Sequence, residues 1–471
     1  MFQMYKSQLL RVSKAVYSPP QALNWHKTMR SRINQFMQNP IGATLAKGGA
    51  VVLLFKVIGA LGGYVLLFSL SRVGGELSVG IYEVAFTVVL IGSTVSRWGL
   101  DTVLVREMAR DREANLASRA LYLAVLSRVF LLSIACSIAV FFGAQFLTEL
   151  FFQNTPINVI ATAAFTIIPF TLMLLNAEVF RAMGKSLLFS LNQHGTVYVF
   201  VGALIAFIPF PEAYTAAAAA QTSLFLLLGI SGLFFLWTTV YILNLTRGQQ
   251  AETSGWKGQL YSLGTPMLIS SSLFLVISWS DTLMLGYYLP EDSVGMYRIV
   301  FKIATLITFA QFALNTVVAP MVSAMSTQRE RLHELAHKVA QLNLITAGPI
   351  FLGILILGPF LIQLFGVEEA STAYPWLVLL AVGQLTNAFA GPVLNILNMT
   401  GYEKSARNTM LIIAVLNIVF NLVLIPLHGP LGAAVATTAT MMGWNIWAAY
   451  LVYKYHGVIA VPFLTKIRRH D

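Results

Sequence analysis

Ser78-Val79-Gly80-Ile81-Tyr82 returns 215 residues later as Ser293-Val294-Gly295-Met296-Tyr297. Each copy opens an apolar stretch just after acidic residues: Glu76 before the first, Glu291 and Asp292 before the second. The same stretches close alike, with Gly99-Leu100-Asp101-Thr102-Val103 answered by Ala313-Leu314-Asn315-Thr316-Val317. Further on, Ile208-Pro209 followed by Ala216-Ala217 matches Ile425-Pro426 followed by Ala433-Ala434, and Gly184 matches Gly401. These matches are in order and nearly in register, so the chain is an internal duplication.

What is duplicated is membrane-embedded. Of 471 residues only 10% are charged and 57% are apolar, and the mean hydropathy is +0.73. A soluble domain carries about 25% charge and could not cover its surface with so little. Disorder is excluded on the same ground. The single cysteine, Cys136, excludes an internal disulfide and any multi-cysteine metal site. At about 20 residues per spanning helix there is room for about twelve. The apolar periodicity places these spans over 48–71, 78–99, 118–143, 156–180, 187–210, 214–244, 259–288, 293–320, 338–365, 371–397, 405–427 and 431–455. Residues 408–453 contain no Asp, Glu, Lys or Arg, and Pro426-Leu427-His428-Gly429-Pro430 supplies the turn between the last two spans.

Thirty Lys+Arg against 19 Asp+Glu give a net charge of +11. Its placement makes it a topology signal rather than a nucleic-acid signal. With the N-terminus in the cytoplasm, the basic residues outside the spans fall on the inner side, with Arg72 as the exception. Glu76, Glu149, Glu212, Glu291, Asp292, Glu368 and Glu369 fall outside. Both termini are then cytoplasmic. Residues 1–47 read as a basic cytoplasmic arm resting on anionic headgroups, 48–247 as an N-lobe, 248–258 as a cytoplasmic linker, and 259–471 as a C-lobe with a basic end. The expected fold is all-α: about twelve transmembrane helices in two six-helix lobes. Six is even, so the lobes share one orientation, related by a pseudo-two-fold axis along the membrane normal. Parallel repeats of this kind place a substrate site at their interface and work by alternating access.

Several motifs resemble a known family. Ser71-Arg72 through Tyr82, Gly99-Leu100-Asp101-Thr102 and Val105-Arg106-Glu107 look like the opening of polysaccharide flippases of the multidrug/oligosaccharidyl-lipid/polysaccharide (MOP) exporter superfamily. Thr265-Pro266, Asp281, Leu285-Gly286-Tyr287 and Ser293 through Tyr297 resemble the start of their second lobe. Asn421, Ile425-Pro426, Gly429 and Gly432-Ala433-Ala434 resemble their penultimate turn. The similarity covers about residues 48–456. It implies transfer of an undecaprenyl-pyrophosphate-linked oligosaccharide from the inner to the outer leaflet of a bacterial inner membrane. Membrane lipids and polysaccharide assembly machinery are the other partners it implies.

Charges inside the spans are candidates for the site, since each costs about 2.5–3.5 kcal/mol at a helix centre. Six stand out: Lys56, Arg128, Arg298 and Lys302, with Glu83 and Asp281. Arg298 and Lys302 are four residues apart, on one helix face, and two cations in adjacent turns suit a pyrophosphate. The four cations are therefore candidates for substrate binding. Glu83 and Asp281 are candidates for a gate or for coupling to H+ or Na+; no other cofactor is expected. Glu83 and Arg298 are repeat-equivalent, each following the repeated Tyr. Pseudo-symmetry puts them at one depth on opposite sides of the axis, able to meet when the outer side is closed. The bland alternative is that all six form structural ion pairs; four cations against two acids leaves a surplus.

A cation-coupled multidrug exporter of the same superfamily is one alternative function, though its cavity should favour acids. A lipid II flippase is another, but the resemblance implies two further spans for that group. His333-Glu334-Leu335-Ala336-His337 fits the zinc-protease pattern H-E-x-x-H. A catalytic zinc needs a third protein ligand, and the next carboxylates fall on the opposite side. The expectation is a transporter, not an enzyme. Gly59 and Gly63 should allow close helix packing, and Pro169, Pro349 and Pro392 should kink their spans.

Overall fold

A computed structural model describes residues 40–113, 119–152, 155–192, 194–208, 215–247, 260–309, 328–367 and 369–460, with 311, 314, 315, 318, 321, 322 and 325 between. Contacts divide the chain into Met1–Ala50 and Val51–Asp471. Of the first unit, residues 40–50 are helical and the basic arm lies outside the described residues.

Among the described residues every regular element is helical. Each expected span finds a helix. Spans 1 and 2 lie in Pro40–Arg97, broken at Gly74 and Gly75. Spans 3, 4, 6 and 7 are Arg119–Phe142, Ile157–Ala182, Ala216–Leu245 and Leu260–Tyr288. Span 8 is Glu291–Thr305, continued by a 3-10 turn over Leu306–Thr308. Spans 9 to 12 are Arg329–Leu364, Ala370–Ala390, Glu403–His428 and Pro430–His456. The chain is therefore a multi-pass integral membrane protein.

Local chemistry explains the breaks. Between spans 1 and 2, Gly75 takes a φ of 67° that a side chain would oppose. Ser78, the first residue of the repeated motif, donates its hydroxyl to the carbonyls of Leu70 and Gly75, both at 2.8 Å. It thus satisfies acceptors that the helix end leaves open. Span 5 is divided into Ser186–Leu191 and His194–Phe207, where Thr196 Oγ1 reaches back to the Ser190 carbonyl. Span 10 stops at Gly391 (φ 72°) and restarts as Val393–Met399 after Pro392. Pro392 thus marks a break, whereas Pro169 and Pro349 sit inside continuous helices.

An element not expected is the helix Leu100–Glu113 beyond span 2. Arg97, at the end of span 2, pairs with Asp101 in the first turn of this helix at 2.7 Å. Within the N-lobe, span 4 packs between spans 3 and 6; within the C-lobe, span 10 packs against spans 8, 9 and 12. The largest apolar cluster crosses between lobes, joining Ile81, Val84 and Ala85 of span 2 to Val294, Tyr297 and Val300 of span 8.

Candidate functional site between the lobes

The lobes meet where the repeated motifs cross. A Cβ on Gly295 would lie 2.7 Å from the Gly80 nitrogen, and one on Gly80 would overlap the Glu291 carbonyl oxygen. The two equivalent glycines thus let backbone touch backbone. Close by, Thr155 of the N-lobe donates to the buried Glu291 carboxylate at 2.7 Å.

One turn further into the bundle, Glu83 and Arg298 meet. Arg298 Nε and Nη2 both donate to Glu83 Oε2, at 3.0 and 2.9 Å, and both residues are buried. Aromatic rings complete the surroundings of the guanidinium. Its carbon lies 4.2 Å from the Trp279 ring centroid and 5.5 Å from that of Phe301. Phe86 joins this group edge-on to Trp279 and Tyr198.

Lys302 lies one turn beyond Arg298. Its ammonium sits 5.0 Å from the centre of the Tyr64 ring, and Gly63 makes room for it, since a Cβ there would stand 2.8 Å from Nζ. Gly63 therefore accommodates a side chain, while Gly59 serves close packing, against the backbone of Gly195 in span 5. Among the described residues no carboxylate lies within ion-pair distance of Lys302. Tyr64 turns its hydroxyl to the Lys302 carbonyl at 2.9 Å and to Thr305 Oγ1 at 3.0 Å.

Asp281 is deep in the C-lobe, 2% exposed. Oδ2 accepts from the Tyr297 hydroxyl at 2.8 Å, and Oδ1 from the Thr282 amide at 2.8 Å. Tyr297 also lies 3.3 Å from Thr437 Oγ1. Beside this, Ser280 donates to Asn417 Oδ1, which also accepts from Asn421 Nδ2. Asn421 Oδ1 is buried without a partner among the described residues. The N-lobe has no counterpart. The residue 215 before Asp281 is Leu66, and the Tyr82 hydroxyl, equivalent to that of Tyr297, is a buried group with no partner.

Four of the six sequence candidates thus gather: Glu83, Arg298 and Lys302 at the seam, with Asp281 behind Arg298 in the C-lobe. The cluster holds two cations and two acids, so the surplus seen along the sequence is not present within it. Arg128 lies apart. It bonds the Ala124 carbonyl of its own helix at 2.8 Å, on a span that packs chiefly against span 4. The Lys56 side chain lies outside the described residues. Sequence reading missed Tyr64, Trp279, Tyr297, Asn417 and Thr437. Asn417 and Asn421, four apart in a stretch free of charge, were the available signal.

The H-E-x-x-H segment has other partners. His333 Nδ1 accepts from the Ile459 amide at 3.2 Å, Glu334 pairs with Lys338, and His337 Nε2 lies 2.9 Å from Gln341. Among the described residues no three His, Cys, Asp or Glu gather as metal ligands.

Comparison with known proteins accords with this architecture. The polysaccharide biosynthesis protein family model matches residues 45–326, and the MatE model matches 266–423. A probable flippase, AglR of Haloferax volcanii, is 26% identical over 215 residues, which is 44% of this chain and 44% of AglR. The chain is thus aligned to less than half the length of that relative. Among solved structures, the lipid II flippase MurJ in an inward closed conformation gives a TM-score of 0.65 at 14% identity, covering 86% of this chain and 87% of MurJ. An inward-facing multidrug resistance MATE family transporter of the MOP superfamily gives 0.62 at 14% identity, covering 86% of this chain and 98% of its own. These structures share the fold. The family model spans more than half of the sequence, and the chain belongs to the polysaccharide biosynthesis protein family.

Proposed function

We infer that this protein is a flippase that moves an undecaprenyl-pyrophosphate-linked oligosaccharide from the inner to the outer leaflet by alternating access. The observation that carries the reading is Lys302. It is a cation in a span, on one face with Arg298, at the seam between lobes, with no carboxylate among the described residues paired to it. An anionic headgroup would supply the missing partner. With the Gly80 end facing outward, as the basic residues imply, the conformation is closed outside. Both termini are then cytoplasmic, in a bacterial inner membrane. Glu83 holds Arg298 in this state. Opening the outer side would part them and free Arg298 for the phosphates. Arg128 and Lys56 serve, in this reading, along the path rather than at the closed seam.

Asp281 is the coupling carboxylate of this scheme. Its surroundings fit H+ or Na+, because the polar atoms beside it are oxygens and amides and Asn421 offers a spare acceptor. Downhill ion movement would drive the cycle. The protein acts as a transporter, not an enzyme, with lipid-linked saccharide and membrane lipids as partners and polysaccharide assembly machinery downstream.

The test is flipping of a fluorescent lipid-linked oligosaccharide in proteoliposomes. Lys302→Ala should lower the rate at least tenfold with unchanged protein in the membrane. Efflux of cationic drugs by the native protein, without flipping, would replace this reading with the multidrug exporter. Activity confined to lipid II would replace it with the lipid II flippase.

A further inference from the structure

Beyond Lys302, span 8 carries neutral polar residues that turn from span 1 toward span 10. Thr305, Thr308, Gln311 and Asn315 follow at steps of three or four. The 3-10 turn at Leu306–Thr308 tightens the helix there. Thr305 is held by Tyr64 of span 1. Thr308 donates to Gln384 Oε1 of span 10 at 3.2 Å. Gln311 Nε2 donates to the Asn387 carbonyl at 3.1 Å and lies 3.5 Å from Asn387 Oδ1.

Two acceptors in this row have no donor among the described residues. Gln311 Oε1 and Asn315 Oδ1 are both buried and unpartnered, and Gln311 as a whole is 6% exposed. Buried amide oxygens are rarely left so, and each asks for a donor that the described residues do not supply. The row contains no charge. A set of neutral amides and hydroxyls with spare acceptors suits a ligand rich in hydroxyl donors, because an amide offers both an acceptor and donors. Gln311 is nine residues from Lys302, or about 14 Å along the helix, room for a few sugar rings.

We propose that Gln311, with Gln384 and Asn387 of span 10, forms a saccharide subsite, separate from the Arg298 and Lys302 phosphate site and farther from the sealed Gly80 end. It rests on the flippase reading and adds which part of the cargo each stretch of span 8 holds. The phosphates lie toward the seal and the sugars away from it. Hydroxyl groups of the first sugars take the places that Gln311 Oε1 and Asn315 Oδ1 leave open.

The test uses the purified full-length chain in nanodiscs. Equilibrium binding is compared for undecaprenyl pyrophosphate and for the same carrier bearing a trisaccharide. The native protein should prefer the glycosylated carrier. Gln311→Met keeps the side chain's length and removes its hydrogen bonding. It should lower that preference about fivefold, as for one lost hydrogen bond, and leave affinity for the bare carrier unchanged. Gln384→Leu should act in the same direction, and a thermal unfolding curve for each variant checks that it folds. Lys302→Ala should weaken both carriers equally. A native protein that binds both carriers alike, or variants that fold and keep the full preference, would overturn the subsite while leaving the flippase reading standing. A native protein that binds neither carrier would overturn both.

Discussion

Glu83 and Arg298 hold the same position in the two halves of the sequence, and their side chains touch. That contact was legible from the duplication alone, because equivalent residues in parallel repeats face each other across the axis. Depth along the chain carried less. Arg128 is as deep as Lys302, yet it lies apart from the seam. Hydropathy gives the height of a residue but not its direction when every face of a helix is apolar, as around Arg128. The pair makes a sharp prediction. Glu83→Arg or Arg298→Glu sets like charges together and should disfavour the closed state by about 1–3 kcal/mol, the usual scale of coupling between states. Each should slow flipping, and the double swap should recover part of it. A double variant no better than the worse single one would mean the pair has no such role. At Asp281, replacement by Asn keeps the volume and removes the charge. Flipping driven by an imposed ion gradient should fall to the undriven rate, while undriven exchange persists. Comparing rates with and without the gradient in proteoliposomes checks this.

At the level of elements, hydropathy and the charge rule found every span, because each must be long and apolar to cross. They did not find the helix Leu100–Glu113, whose polar residues have no membrane to match. Nor did they find the division of span 5, since a broken helix keeps the hydropathy of an intact one. The C-terminal end of span 12 shows another feature outside periodicity. After Gly457 (φ 60°) the chain returns to span 9, where Arg329 donates to the Gly457 carbonyl at 3.3 Å and His333 accepts from the Ile459 amide. Val458 and Ala460 are buried by this return. His333 precedes the apolar stretch 338–365, and burial, with the charges of His337 and Arg329, holds its pKa below the ordinary value of 6.5. Its neutral ring can accept the Ile459 bond, and its protonated ring cannot. The sign follows from linkage. The group is lowered in the folded state, so its stabilising effect is complete above pH 6.5 and is lost as pH falls through the folded value. Hydrogen exchange at Ile459 should therefore accelerate on acidification below that pH, and His333→Asn should flatten the response. Exchange independent of pH, after correction for the intrinsic rate, would refute the link.

Across the whole molecule, the two halves share a fold but have divided the charge. The C-lobe keeps Asp281, Arg298 and Lys302 where the N-lobe has Leu66, Glu83 and Thr87. The shared symmetry was readable in the sequence. The consequence of its loss was not, because it depends on which side chains meet. Span 2 joins the C-lobe at both ends, through Gly80 to span 8 and through Trp98 Nε1, 3.2 Å from Thr265 Oγ1 of span 7. In the proposed cycle, rocking of the lobes breaks one of these junctions while the other holds. Gly80→Val should favour separation at its end, with no charge altered. Spin labels on the two lobes should report a longer distance at that end and an unchanged one at the Trp98 end. The crossing of Gly80 and Gly295 also has an electrical meaning. A potential of 100 mV is worth about 2.3 kcal/mol per elementary charge, and ions exploit any unbroken column of water. Two backbones in contact leave no bore for such a column. A carrier sealed in this way can load a bulky cargo from one side while the membrane stays insulated, and a side chain wedged at position 80 should appear first as a leak current.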